Sequence, residues 1–212
     1  MRLPDDVRIA GKKTVADWKD MKVRLEKCDD RAVWDEAFRD FFKARLNSRY
    51  FEPIRALEKM NKKDGEGFAI VALHCSLIEF FASTLAGKNY RYSRNGVPKL
   101  KPYEYSDSRD MFQGFLTSAV PFRAMFADRN EARHFYKDVR CGLLHEARTR
   151  GLWRIKDDPR ASQAIDSKNK VVYRNKMQGT FDKFIEDYRT GLSNCKDLQA
   201  AFIRKFDALC SP

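Results

Sequence analysis

"FAIVALHCSLIEFFASTLAG", residues 68–87, is the most apolar stretch of this 212-residue chain. It is long enough to cross a membrane, but His74 and Glu79 lie near its middle, where both would be costly in lipid. Charged residues also crowd both of its flanks. We therefore expect the buried central helix of a protein with no membrane partner, ending at Gly87 as a C-cap.

Helical periodicity continues on both sides of this stretch. Apolar residues three and four apart predict an amphipathic helix over residues 31–49, after which Pro53 either kinks the helix or opens a fresh turn. The residues of this stripe are Trp34, Phe38, Phe41, Phe42 and Leu46. Further helices are predicted over residues 108–118 and 128–148, with Gly151 ending the second. The stripe over residues 181–209 predicts one long helix or two collinear ones.

Two short segments resemble strands: "LWRI" at 152–155 and "KVVYR" at 170–174. They could pair as a hairpin. The predicted fold class is therefore all-α, a helical bundle that can carry a small β-hairpin insert after the 128–148 helix. Residues 1–30 are interpreted as an N-terminal helical extension and residues 31–212 as one helical domain.

The composition indicates what the chain binds. Its net charge of +12 and pI near 9.5 attract polyanions, with nucleic acid the leading candidate, although charge can also serve solubility alone. Five cysteines without a C-x-x-C and three scattered histidines give no metal motif, and no cofactor-binding motif is present. The first residues contain no uninterrupted apolar run, so we expect no secretory signal and a cytoplasmic protein.

The segment "VRCGLLHEARTRG", residues 139–151, contains the pair of residues best suited to chemistry, Arg140 and His145. Five residues separate two side chains by about 140° around a helix. Arginine is long enough to reach around, and Gly142 lies between them without a side chain. The stripe Phe135, Val139, Leu143 and Ala147 is expected to face the core, so Arg140 and His145 can border one groove.

Such a pair can cleave RNA without a metal. A histidine accepts or donates a proton near neutral pH, and an arginine stabilises the extra charge on the phosphate in the transition state. The ribose 2′-OH is an internal nucleophile. One histidine cannot easily be both base and acid, but a symmetric dimer would supply two.

Arg140-x-x-x-x-His145, late in a helix of a basic all-α protein, resembles the R-x4-6-H motif of the HEPN superfamily. The order of helices from about residue 31 to 209 is also similar. The resemblance implies a homodimer whose Arg140 and His145 meet at the interface. It implies a metal-independent endoribonuclease of toxin–antitoxin or anti-phage defence, with RNA as substrate, a 2′,3′-cyclic phosphate product, and an antitoxin or other regulatory protein as a further partner.

Cys141 departs from this pattern, because active members often have a polar Asn, His or Asp after the motif arginine. The alternative function is a catalytically inactive dimeric module of the same fold that binds RNA, a nucleotide or a protein. A third hypothesis is a helical scaffold whose charge is incidental.

Three acidic or histidine side chains have two readings each. Glu79 either orients Arg140 or His145 or forms a structural salt bridge. Asp138 either tunes the His145 imidazole or is a solvated surface carboxylate. His74 is interpreted as a hydrogen-bonded core histidine rather than a catalyst.

Basic residues elsewhere are candidates for RNA binding. Arg148 and Arg150 either contact flanking phosphates or complement the helix dipole. The loop "KNYRYSRNGVPKLKPYEY", residues 88–105, mixes tyrosines with Lys88, Arg91 and Arg94 among other cations. It suits single-stranded RNA, and equally a packed loop whose tyrosines cover the bundle.

Overall fold

A computed structural model describes residues 3–27, 30–60 and 64–211 of the chain. The described residues form two compact units, each built from segments distant in sequence. The first unit comprises the described parts of Met1–Pro53, Ser83–Ser106 and Asp187–Pro212. The second unit comprises the described parts of Ile54–Ala82 and Asp107–Glu186.

Most described residues are helical and the sheets are small, which confirms the mostly helical class. The helices are α1 (Val15–Lys27), α2 (Arg31–Ala37), α3 (Ala44–Leu46), α4 (Glu52–Met60), α5 (Glu66–Ala86), α6 (Ser108–Ser118), α7 (Arg129–Phe135), α8 (Cys141–Glu146), α9 (Arg174–Leu192) and α10 (Lys196–Leu209). Segments of π-helix cover Phe38–Lys43, Asn47–Phe51 and Tyr136–Arg140, and a 3-10 helix covers Phe122–Met125. The strands are β1 (Arg8–Ala10), β2 (Lys13–Thr14), β3 (Asn89–Tyr90), β4 (Glu104–Tyr105), β5 (Arg154–Lys156), β6 (Ile165–Asp166) and β7 (Val171–Tyr173).

The helix predicted over residues 31–49 is present and continues through π-helical segments into α4. It begins at the N-cap Asp30, whose side chain accepts a hydrogen bond from the Ala32 backbone N–H at 2.9 Å. All five residues of its predicted apolar stripe are buried. Pro53 follows the π-helical segment Asn47–Phe51 directly and lies near the start of α4, inside this continuous helical run, so it does not end the helix.

The apolar stretch at 68–87 forms α5, and Gly87 follows it with φ +60, as predicted for a C-cap. Among the described residues, α5 is the one helix long and apolar enough to span a membrane. Of its most apolar window, 56% is buried inside the protein, and His74 is fully buried. The middle of α5 therefore belongs to the core, as predicted for a buried central helix.

In the first unit, aromatic side chains bring α1 and α10 together. Trp18 of α1 contacts Phe41 and Phe206, with ring centroids 5.2 Å apart in both pairs. Its indole N–H donates to Asp207 Oδ1 at 2.9 Å. The segment interpreted as an N-terminal extension therefore packs within this unit, and β1 and β2 precede its helix as an antiparallel pair.

The second unit is centred on phenylalanines from α5, α6 and α9. Phe81 and Phe115 both contact Phe184, with centroids 4.9 and 5.0 Å apart. His74 stacks on Phe181 at 5.0 Å. His74 is therefore a core residue as predicted, but neither ring nitrogen has a hydrogen-bond partner among the described residues.

The predicted pairing of residues 152–155 with 170–174 as a hairpin is wrong, although β6 and β7 do form a small antiparallel hairpin after the motif helix. β5 and β7 pair in parallel, and β6 lies antiparallel on the other side of β7, giving the order β5-β7-β6. The connection between β5 and β7 is long enough to contribute its own strand, so the chain enters β7 from the opposite end to a hairpin. Strands β1 to β4 and β6 lie outside the two segments expected to form strands.

The predicted end of the motif helix at Gly151 is also wrong. The helix ends at Glu146, and Ala147 adopts a left-handed conformation with φ +54. Ala147 is exposed, so it does not belong to the core stripe. At the C-terminus, residues 193–195 separate α9 from α10, so one long helix is excluded.

Candidate functional site

The helix that carries the motif begins with a side-chain cap. Asp128 Oδ1 accepts the Glu131 backbone N–H at 2.8 Å, and Glu131 Oε2 accepts the Ala127 backbone N–H at 2.8 Å. The helix then runs through α7, the π-helical segment and α8. Arg140 is the last residue of the π-helical segment, and His145 lies in the last turn of α8.

Arg140 is partly buried and held by neighbours of the second unit. Its Nη2 donates to Glu79 Oε2 at 3.5 Å, and its guanidinium carbon lies 5.3 Å from the centroid of the Tyr136 ring. Burial lowers the pKa of Arg140, but Tyr136, Cys141 and Glu79 outweigh burial and the net shift is upward. Arg140 therefore stays charged at every physiological pH.

Glu79 is the residue that connects the central helix to the motif. Besides Arg140, it accepts a hydrogen bond from Ser108 Oγ at 2.6 Å, from the first residue of α6. The carboxylate is thus tied to two elements and fixes where the guanidinium points. This contact is common to both predicted roles of Glu79, orientation of Arg140 and a structural salt bridge.

A small cavity opens beside Arg140. Its volume is about 170 Å³, and Arg140 and Leu144 line it from the motif helix. The α5 side is lined by Ala72, Leu73, Cys75 and Ser76. Leu144 is 62% exposed, and Phe68, one turn before Ala72, is 42% exposed. We call the surface formed by Phe68, Ala72, Leu73 and Leu144 the Leu144 surface.

His145 is exposed and does not line this cavity. Within the described residues it has neither a hydrogen bond nor an ion pair. Gly142 does not simply leave room between the pair: a Cβ there would lie 2.5 Å from the Arg148 carbonyl oxygen. Its absent side chain allows the chain after α8 to fold back across the helix.

Tyr136 and Cys75 are neighbours of the motif that the sequence-based prediction did not include. Burial raises the pKa of the Tyr136 phenol to about 12, opposed by Arg140, and burial raises the pKa of the Cys75 thiol to about 12. Both groups are therefore neutral. Each could have been found by helical spacing, because Tyr136 lies four residues before Arg140 and Cys75 four before Glu79.

Cys141 is half-buried beside these groups. Its thiol lies close enough to Arg140 and Tyr136 to contribute to the raised pKa values of both. The residue after the motif arginine is thus an electrostatic neighbour of that arginine, without a hydrogen bond to it in the described part of the chain.

Asp138 is not a solvated surface carboxylate, and that reading is wrong. The residue is buried, and a Cβ on Gly151 would lie 2.4 Å from its Oδ2. Its Oδ2 also lies 4.0 Å from Nδ1 of the exposed His134, one turn earlier. Its backbone carbonyl accepts the Arg150 N–H at 2.8 Å. These contacts fix the turn after α8 and do not include His145.

The basic residues after the motif share one acidic partner. Arg148 Nε donates to Glu146 at 3.0 Å, and Arg150 also pairs with Glu146. The Arg148 side chain is nevertheless mostly exposed. Both remain candidates for phosphate contacts in competition with Glu146.

Lys88, Arg91 and Arg94 belong to the first unit, whereas the motif lies in the second. The Lys88 carbonyl accepts a hydrogen bond from Lys205, and Arg91 pairs with Glu104 at 3.1 Å. Arg94 is exposed and forms a backbone bridge with Val97. The two ends of the loop at residues 88–105 are joined by the parallel pairing of β3 with β4.

Over the described ranges, no group of three or more His, Cys, Asp or Glu side chains is arranged to hold a metal ion. Comparisons with protein-family models, with curated proteins and with solved structures give no match to this chain.

Proposed function

We propose that this chain is a HEPN-like, metal-independent endoribonuclease that acts as a homodimer in the cytoplasm, in toxin–antitoxin or anti-phage defence. The observation that carries the proposal is the contrast within one helix. Arg140 is charged and fixed by Glu79 beside a cavity, while His145 is exposed with no described protein partner. A fixed cation and an accessible imidazole are what phosphodiester cleavage by a 2′-OH requires.

In the proposed reaction, the RNA 2′-oxygen attacks the adjacent phosphorus and the P–O5′ bond breaks. One His145 takes the proton of the 2′-OH, and the partner's His145 donates a proton to the departing 5′-oxygen. Arg140 stabilises the charge on the non-bridging phosphate oxygens. The products are a 2′,3′-cyclic phosphate and a 5′-hydroxyl, and no metal or cofactor takes part.

The dimer is supported by the Leu144 surface, an apolar patch next to Arg140. Exposed apolar side chains of this kind are typical of interaction sites. A second copy seated there would bring two motif helices together and supply the second histidine. An antitoxin or other regulatory protein covering the same surface would keep the enzyme inactive.

The test is cleavage of an end-labelled single-stranded RNA in EDTA. We expect wild type to cleave and His145→Ala to lose at least a hundredfold in rate, because general acid–base catalysis contributes roughly 10²–10⁴. His134→Ala is the matched control, since His134 is exposed on the same helix, and it should cleave like wild type.

Inhibition by EDTA, or equal cleavage by His145→Ala, would overturn the proposal. The second candidate function is an inactive module of this fold that binds RNA, a nucleotide or a protein. It is favoured by one observation: Arg140 is already engaged by Glu79 and Tyr136. RNA binding without cleavage by the wild type, with affinity unchanged in His145→Ala, would establish that candidate.

A further inference from the structure

The first unit contains a second, larger basic site. A cleft of about 970 Å³ lies between the loop that carries β3 and β4 and the C-terminal half of α10. Its volume falls within the range of small-molecule sites. The functional side chains that line it are Tyr90, Arg91, Lys101, Tyr103, Glu104, Arg204, Lys205 and Asp207.

Both carboxylates in the cleft are occupied by protein donors. Glu104 accepts from Arg91 Nη1 at 3.1 Å and from the Lys101 backbone N–H at 2.7 Å. Asp207 accepts from Trp18 at 2.9 Å and from Lys22 Nζ at 2.6 Å. The acidic groups are therefore neutralised before any ligand arrives.

Two of the cations, Lys101 and Arg204, form no ion pair among the described residues. Lys205 is already engaged, since it donates to Ser83 Oγ at 2.8 Å and to the Lys88 carbonyl at 3.0 Å. Arg204 Nε is buried and has no hydrogen-bond partner in the described part of the chain. An unpaired buried donor is costly unless a ligand satisfies it.

The cleft also presents tyrosine rings. Tyr103 has φ +64, a left-handed conformation that a non-glycine residue rarely adopts. Its ring lies 4.2 Å from the guanidinium carbon of Arg204 and is held there although Tyr103 is 51% exposed. Tyr90 is 54% exposed, with its ring edge-on to Tyr105 at 5.7 Å.

We infer that this cleft binds a nucleotide unit, with the phosphate on Arg204 and Lys101 and the base against Tyr90 or Tyr103. Exposed aromatic rings beside unpaired cations match that ligand, because bases stack on aromatic rings while cations neutralise phosphate. An acidic peptide would use the cations alone. The inference rests on the proposed function only in taking RNA as the polymeric source; a free nucleotide is the other source.

The experiment uses the full chain carrying His145→Ala, so that RNA stays intact. Fluorescence anisotropy would measure binding of a labelled ten-nucleotide oligoadenylate at several salt concentrations. We expect Tyr90→Leu to weaken binding about tenfold and Tyr90→Phe to restore it, as expected of base stacking. Lys101→Gln should weaken binding and lower the slope of log affinity against log salt by about one.

Arg160→Gln is the matched control, because Arg160 is 93% exposed in the second unit and should change neither affinity nor slope. Tyr103→Phe and Arg204→Gln extend the series, with melting temperature checked for each. Competition by adenosine triphosphate would identify a free nucleotide as a ligand of the same cleft, and competition only by RNA would identify the polymer. Either result supports the inference.

Three results would overturn it: no RNA binding at low salt, equal binding by every variant, or equal competition by polyglutamate, which would indicate charge alone. The outcome is separable from the proposed function. If wild type cleaves RNA but Tyr90→Leu does not change RNA binding, the cleft is not a nucleotide site and the proposed ribonuclease function still stands. If the cleft variants weaken binding but wild type cleaves no RNA, the cleft is a nucleotide site and the proposed ribonuclease function is wrong.

Discussion

Gly142 determines how the chain leaves the motif helix. The Arg148 carbonyl oxygen lies where a Cβ would be, so we expect Gly142→Ala to lower the free energy of unfolding by roughly 1–3 kcal/mol, as overpacking typically does. Gly114→Ala in α6 is the control, since nothing lies within 4 Å of a Cβ there and alanine favours helix by about 1 kcal/mol. Urea denaturation of both variants checks the prediction. A stabilising Gly142→Ala would contradict it.

His74 makes stability depend on pH. Burial lowers its pKa to about 4; the nearby Gln178 side chain offsets part of this shift without reaching hydrogen-bond geometry. Below about pH 6.5 the His74 imidazole becomes protonated in the unfolded chain but stays neutral in the folded chain until the pH approaches 4. The contribution of His74 to the free energy of unfolding therefore falls as the pH drops from 6.5 to 4, by up to about 1.4 kcal/mol per pH unit.

His74→Phe keeps a ring against Phe181 and removes the titration. We expect its stability, measured by urea denaturation between pH 7 and pH 4.5, to fall less steeply than that of wild type. His134→Phe, at an exposed position, is the control. Parallel profiles for wild type and His74→Phe would show that the buried imidazole does not contribute.

At the scale of elements, Asp128 determines where the motif helix begins. It accepts the Glu131 N–H, so Asp128→Ala should cost about 1 kcal/mol, while Asp128→Asn should retain most of the cap. The measurement is the shift in melting temperature of the two variants. Equal shifts for both would show that the cap hydrogen bond is not what stabilises this end.

The elements that sequence predicted best are those with a strong apolar stripe. The stripe at Trp34 to Leu46 and the apolar run at 68–87 lead to buried helices because burial of large side chains dominates local preference. The turn at Ala147 was missed because its cause is a contact between Gly142 and Arg148, six residues apart. The sheet was missed because β6 is two residues long and is stabilised by pairing with β7.

The residues of the candidate site likewise include some that the sequence could predict and some that it could not. Arg140 and His145 could be found by spacing, and Glu79 by the cost of a carboxylate in an apolar helix. Ser108 could not, because its hydrogen bond to Glu79 joins residues 29 apart in sequence. The cleft at Arg204 was missed because α10 presents Arg204 to a loop about a hundred residues earlier in the chain.

At the scale of the whole molecule, the proposed dimer is directly testable. Sedimentation velocity should give twice the 24.8 kDa mass of one chain. Leu144→Glu should shift the protein toward monomer and reduce RNA cleavage, because it places a charge in an apolar interface. Leu152→Glu is the matched control, at a leucine that is 85% exposed and outside the Leu144 surface. A dimer unaffected by Leu144→Glu would place the interface elsewhere.

The π-helical segment Tyr136–Arg140 affects which changes in chain length the motif helix can tolerate during evolution. A π-helical turn holds one residue more than the α-helical turn it replaces. Deleting one residue between Tyr136 and Val139 would restore a regular α-helix and leave the Arg140–His145 pair on nearly the same face relative to α7, because the wider π-helical turn absorbs the extra residue. In a library of single-residue deletions selected for activity, we expect this segment to tolerate a deletion better than α7 or α8, where losing one residue turns the rest of the helix by about 100°. Relatives that differ in length within this helix should therefore differ by one residue at this segment.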